Sequence, residues 1–99
     1  MLCHQLIAMS PLFALGSVVA TPGALAALEK YAVDASTLLS RHVSGDWGDV
    51  PPEDWKENDL SVVNGFRILS SYSIGADTRI WIITEADRSV TTLLLPEEY

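Results

Sequence analysis

Glu85, Asp87 and Arg88 share one polar loop, Thr84-Glu85-Ala86-Asp87-Arg88-Ser89, set between two apolar runs. Two carboxylates beside a guanidinium can move a proton, or grip a phosphate or a second guanidinium. The same residues also suit a solvated turn, with Asp87 accepting from the backbone and Arg88 in a weak surface ion pair. His42 is the one histidine in the body of the chain. Its titration range suits proton transfer, but a histidine near a helix end serves equally as a cap or packing residue. His42 with Asp46 would supply two metal ligands; without a second His or Cys pair, no metal site is expected. Asp46-Trp47 sits between Gly45 and Gly48. Trp47 is either a stacking platform and interface anchor or a plug folded into the core. The candidate binding set is therefore Asp46, Trp47, Glu85, Asp87 and Arg88, with the Gly45–Gly48 loop and the 84–89 tip expected to form one site together.

These residues need elements to position them. Ile80-Trp81-Ile82-Ile83 and Val90 to Leu95 read as two buried strands of a hairpin whose tip is the polar loop. Phe66 to Ser73 alternates as a third strand, with Phe66, Ile68, Ser70 and Tyr72 on one face, and Gly75-Ala76-Asp77 turns it into the next. Arg67 and Arg79 lie in these β segments, either aimed at Glu85 or Asp46 or covering a sheet face with their stems. Upstream, Leu12 to Ala20 reads as a short strand bent at Gly16. Thr21-Pro22 starts a helix that runs to Val33 with Leu25, Leu28 and Ala32 on one face, and Asp34 caps a second helix through His42. A third helix is expected from Pro52 to Val63, with Trp55, Leu60 and Val62 or Val63 making its apolar contacts and Asn64-Gly65 closing it. The fold class is α+β: a short N-terminal strand, two to three helices, then a three-stranded antiparallel meander packed against them. Residues 1–11 are expected to be a flexible extension and residues 12–99 a single domain.

The bulk properties narrow the function classes. The chain has 99 residues, 48% of them apolar, and a net charge of −7. Direct binding to a nucleic-acid backbone needs clustered Lys and Arg, which this chain lacks, so a protein partner is expected. Asp46, Asp49, Glu53, Asp54, Glu57 and Asp59 form an acidic stretch broken only by Lys56. Such a stretch is either a solvated helix face or a docking surface for a basic partner. Cys3 is the only cysteine, so no intrachain disulfide forms and a cytoplasmic location is expected. Leu6 to Leu28 is uncharged, and Val18-Val19-Ala20 has the small residues of a weak cleavage site. No Lys or Arg precedes the run, however, and Pro11, Gly16, Pro22 and Gly23 interrupt it, so neither export nor a membrane span is expected. Met9 offers a second start. The chain has no phosphate-binding glycine loop, no dinucleotide-binding G-x-G-x-x-G, no G-x-S-x-G and no C-x-x-C. No cofactor is expected.

From about Met9 to Tyr99, the segments VATPGALAAL, RHVSGDWG, RILSSY and RIWIITEADRSVTTLLLPEEY resemble a family of short, uncharacterised bacterial proteins carried on plasmids and other mobile elements. Some members bear the label of a type I restriction endonuclease methylation subunit. The chain has neither the Asn-Pro-Pro-Tyr tetrad nor the glycine loop of such a methyltransferase, so the resemblance implies a setting, anti-defence or regulatory inhibition, more than a chemistry. The order of helices before an antiparallel sheet, with I-T-x-x-D at a hairpin, is also similar to barnase-like and RelE-like small ribonucleases. That likeness implies a sheet-face site made of His42, Arg67, Glu85, Arg88 and Thr92, although such nucleases are normally basic.

Overall fold

The computed structural model of the chain describes residues 11–99. All but the last residue of the expected 1–11 extension lies outside them. The elements run β1 (Ser17–Ala20), α1 (Pro22–Lys30), α2 (Ala35–Val43), α3 (Pro52–Asn64), β2 (Ile68–Gly75), β3 (Thr78–Thr84), β4 (Val90–Leu94) and a 3-10 turn, Pro96–Glu98. The fold is α+β. The sheet is mixed, in the order β1-β4-β3-β2: the meander is antiparallel, and β1 adds to it parallel to β4, with Ser17 opposite Val90 and Ala20 opposite Leu93.

Local chemistry starts the first two helices where the sequence places them. Thr21 accepts from the Ala24 N–H at 3.1 Å with Pro22 behind it, and Asp34 accepts from the Ser36 N–H at 2.9 Å. α1 ends earlier than expected, at Lys30, because the chain turns left-handed at Ala32 (φ 55°). Its inward residues are Ala24 and Leu28; Leu25 faces solvent, a correction to the expected face. α1 and α2 pack Ala24, Leu28 and Leu38 on Tyr72, Ile80, Ile82 and Leu93, which share one face of the sheet.

α3 does something different. It lies at the outer edge of β2, where strand N–H and C=O groups would otherwise be unpaired. Asn58 donates to the Leu69 carbonyl at 2.7 Å and accepts from the Leu69 N–H at 3.2 Å. Next along the same edge, the Ser71 N–H donates to the Trp47 carbonyl and the Asp49 N–H donates to the Ser71 carbonyl, at 3.1 and 2.7 Å. Gly48 lets this segment lie flat on the strand: its φ is +77°, and a Cβ there would fall 2.0 Å from the Ser71 carbonyl oxygen. α3 therefore buries Asn58 and Ser61, while Leu60 and Val63, expected as its apolar contacts, face solvent. Phe66 is likewise exposed and outside β2, not the first inward residue of that strand.

Candidate functional site

α2 brings His42 over the sheet, where it is fully buried. Its Nδ1 lies 2.5 Å from Ser70 Oγ and its Nε2 lies 2.9 Å from Thr84 Oγ1. Thr84 Oγ1 is 2.7 Å from Thr91 Oγ1, and the Thr91 hydroxyl donates to the Leu15 carbonyl at 2.7 Å. Each hydroxyl has one proton, so the directions follow. Thr91 spends its proton on Leu15, and Thr84 must donate to Thr91. His42 Nε2–H then donates to Thr84, and Nδ1 accepts from Ser70. The ring is neutral, protonated on Nε2. Burial, helped by the positive charge of Arg88, pushes its pKa down to about 4. This is a satisfied polar core that ties α2 to β2, β3, β4 and the segment before β1.

Phe13 closes the chamber. Its ring meets His42 edge-on at 5.2 Å and stacks with Trp47 at 6.1 Å, and the Arg88 guanidinium lies 5.4 Å from its centre. Trp47 of the Gly45–Gly48 loop and Arg88 of the 84–89 tip are thus linked through Phe13. The junction is packed, not open. Trp47 is 0% exposed, so it is the core plug of the two readings and offers no surface to a partner. Its indole N–H donates to Asp59 at 3.0 Å. Asp46 is tied up locally: Arg41 donates to it at 2.7 and 3.3 Å, and it accepts from the Gly48 N–H. The Arg41 hydrogen bond holds the Asp46 carboxyl below the usual carboxylate range.

At the tip, Asp87 accepts from the Ser89 hydroxyl and N–H at 2.6 and 3.0 Å, which lowers its pKa. This is the turn role foreseen for it. Arg88 has a different role from the surface pair expected. With φ at +60°, it folds back and donates to the carbonyls of Phe66, Ser61 and Glu85 at 2.7, 2.9 and 3.2 Å. The guanidinium thereby adds a charged donor to the Ser61 carbonyl, which also accepts from the Gly65 and Phe66 N–H groups, and sits at the negative pole of the α3 dipole. Replacing Arg88 with Ala or Gly is expected to cost about 2 kcal/mol by urea denaturation. Gly should cost less than Ala, because both lose the carbonyl partners and only Gly relieves the left-handed backbone. Lys, a single ammonium in place of a planar fork, should recover less than half.

The five residues of the ribonuclease-like arrangement do not converge. Thr84 and Thr91 share the helix-covered face with His42, so by strand alternation Thr92 and Glu85 belong to the opposite face. Arg67 pairs with Glu85 at 3.8 Å, both about half exposed. The sheet stands between His42 and these three, and Arg88 is held by backbone carbonyls. Among the described residues, no group of three or more His, Cys, Asp or Glu side chains is placed to hold a metal ion, and no helix is long and apolar enough to cross a membrane.

Two accessible features centre on α3. One is α3 itself, with Glu53, Asp54 and Glu57 exposed in its first half, then Leu60 and Val63, 56% and 81% exposed, and Phe66 (57%) just past its end. The other is a cleft beside its first turn, lined by Val50, Pro51, Leu69 and Trp81 together with Asp54 and the pair Arg79–Asp49, 3.4 Å apart. Ser71, which also lines this cleft, carries a buried hydroxyl without a hydrogen-bond partner. Sequence reasoning missed Phe13, the Ser70–Thr84–Thr91 hydroxyls and the outward face of α3. The one available signal was the polar Asn58 and Ser61 placed where an apolar helix face was assumed. No protein-family model, no curated protein and no solved structure matches this chain.

Proposed function

We propose that this protein acts by binding another protein through the outward face of α3, as a regulatory inhibitor whose partner is basic and partly apolar. The observation that carries this reading is the exposed row Leu60, Val63 and Phe66, continuous with an acidic first half of the same helix. Leu60 and Val63 are neighbours by helical spacing. An apolar patch bordered by one sign of charge is the usual form of a docking surface: charge steers the encounter, and apolar area supplies affinity. The burial of His42 and its separation from Arg67, Glu85 and Thr92 favour this reading over a sheet-face ribonuclease. A setting in anti-defence on mobile elements, and a cytoplasmic one, rest on the family resemblance and cysteine usage.

The test is comparative affinity purification from host cells expressing the tagged chain. Wild type, Leu60→Ser/Val63→Ser/Phe66→Ser and Glu53→Lys/Glu57→Lys are compared at matched circular dichroism. A protein retained by wild type should be lost by at least tenfold in the triple variant, and its retention should weaken with salt in wild type but less so in the charge variant. Equal recovery of the same proteins by all three would overturn the proposal, as would specific RNA cleavage with no retained protein.

A further inference from the structure

The two edges of the sheet are treated differently. β2 has its outer edge closed by Asn58 and by the backbone of the Trp47–Asp49 segment. Among the described residues, β1, at the other end of the strand order, pairs only with β4. It has no device that usually guards an edge: Ser17-Val18-Val19-Ala20 has no charge and no proline, and its register with β4 is unbroken. Val18 and Val19, on opposite faces of the strand, are 45% and 47% exposed. The ladder with β4 uses the Ser17 and Thr21 N–H groups, which donate to the Ser89 and Leu93 carbonyls at 3.0 Å. Alternation then turns the peptide groups of Val18 and Ala20 outward.

Charge indicates what this edge can meet. In a chain of net charge −7, residues 11–28 have no ionisable side chain, so the residues of β1 and most of α1, including the exposed Leu25, are uncharged, and the Glu98 carboxylate that borders them is tied to the Thr21 hydroxyl. A second copy of so acidic a chain would be repelled at most other faces and can approach here. The outward groups are also self-complementary. In an antiparallel pair about a two-fold axis through Val19, Val18 N–H and C=O exchange with Ala20 of the other copy, and Ala20 with its Val18. The two Val19 side chains then face each other in a non-hydrogen-bonded pair, the closer kind.

We propose that two copies of this chain join β1 to β1 in this way, making one continuous eight-stranded sheet. The occupant of the edge is a second copy. An extended peptide from another protein is the alternative that the experiment excludes or reveals. The contact is short, which places its affinity at the weak end for protein pairs. α3 lies at the far edge of each copy, so pairing leaves both of its exposed faces free.

Sedimentation equilibrium of the full chain over a hundredfold concentration range is expected to show the weight-average mass rising toward twice the 10.8 kDa chain. Val19→Lys should hold the mass at one chain without changing the circular dichroism spectrum. In a Cys3→Ser background, mild oxidation of Val19→Cys should give a covalent dimer at least tenfold faster than oxidation of Val63→Cys, which places its thiol on α3. The second measurement stands even if Val19→Lys fails to fold. A constant single-chain mass, a dimer that persists in folded Val19→Lys, or equal cross-linking at positions 19 and 63 would overturn the proposal.

Discussion

Replacing Trp47 with alanine is expected to remove about 4 kcal/mol of folding stability. A domain of this size rarely has more than about 5–15 kcal/mol in total, so the variant should be partly unfolded at 37 °C. The side chain is the largest fully buried one in the molecule, and it supports two others. Phe13 stacks on it, His42 meets it edge-on at 5.8 Å, and its backbone carbonyl pairs with the edge of β2. A cavity there would loosen the lid over His42 as well as the cover on β2. Trp47→Phe separates the contributions. It keeps much of the packing and loses only the 3.0 Å hydrogen bond to Asp59, whose carboxylate is exposed and can turn to water. It should cost about 1–2 kcal/mol. Urea midpoints of the two variants check this, and an alanine cost below 2 kcal/mol would contradict the plug role.

Acid is expected to remove on the order of 3 kcal/mol through His42 alone. In the unfolded chain His42 takes up a proton near its ordinary 6.5; folded, it resists until about 4. Between those values the unfolded state binds more protons, so stability falls as pH falls through the window. Above 6.5 this group adds no slope, and below about 4 its penalty is complete. The carboxylates act later. Asp34, Asp46, Asp87 and Glu98 are each held below ordinary values of 3.8 or 4.5 by hydrogen bonds. What they contribute is lost only as pH drops below those values. Stability should thus begin to decline below pH 6.5, before these four carboxylates contribute, and His42→Gln should flatten that decline even though it destabilises the protein at pH 7. Nitrogen NMR of the wild-type ring should show the Nε2–H form from pH 8 down to about 5. A bound proton on both nitrogens at pH 6 would contradict the hydroxyl chain from Ser70 to Leu15.

The parts of this fold that were legible in the sequence are those decided by neighbours. Thr21-Pro22, Asp34 and Gly65 mark helix ends because capping is a matter of a few adjacent atoms. The β3–β4 hairpin and the Asp87 turn follow for the same reason. The parallel partner of β1 was not legible, since nothing within Ser17–Ala20 specifies β4 over another strand. α3 was misread because an apolar residue on a helix is ordinarily assumed to meet an apolar surface. Here the helix meets the polar edge of a strand, so Asn58 and Ser61 go inward and Leu60 and Val63 outward. Of the candidate residues, Asp87 could be assigned from its turn. Trp47 and Arg88 could not, because their partners Asp59, Phe13, Ser61 and Phe66 lie at distances that no local pattern spans.

The parallel seam between β1 and β4 also sets the order in which the molecule can assemble. The meander joins strands that follow one another, so each step closes a short loop. The Thr91–Leu15 and Thr21–Glu98 bonds instead join residues 76 and 77 positions apart. That closure entropy must be met before any contact across the seam compensates for it. The helices and meander can therefore gather first, leaving the edge of β4 bare until β1 arrives. During that interval, and not in the finished fold, Thr91 to Leu94 is the segment most open to pairing with the wrong strand.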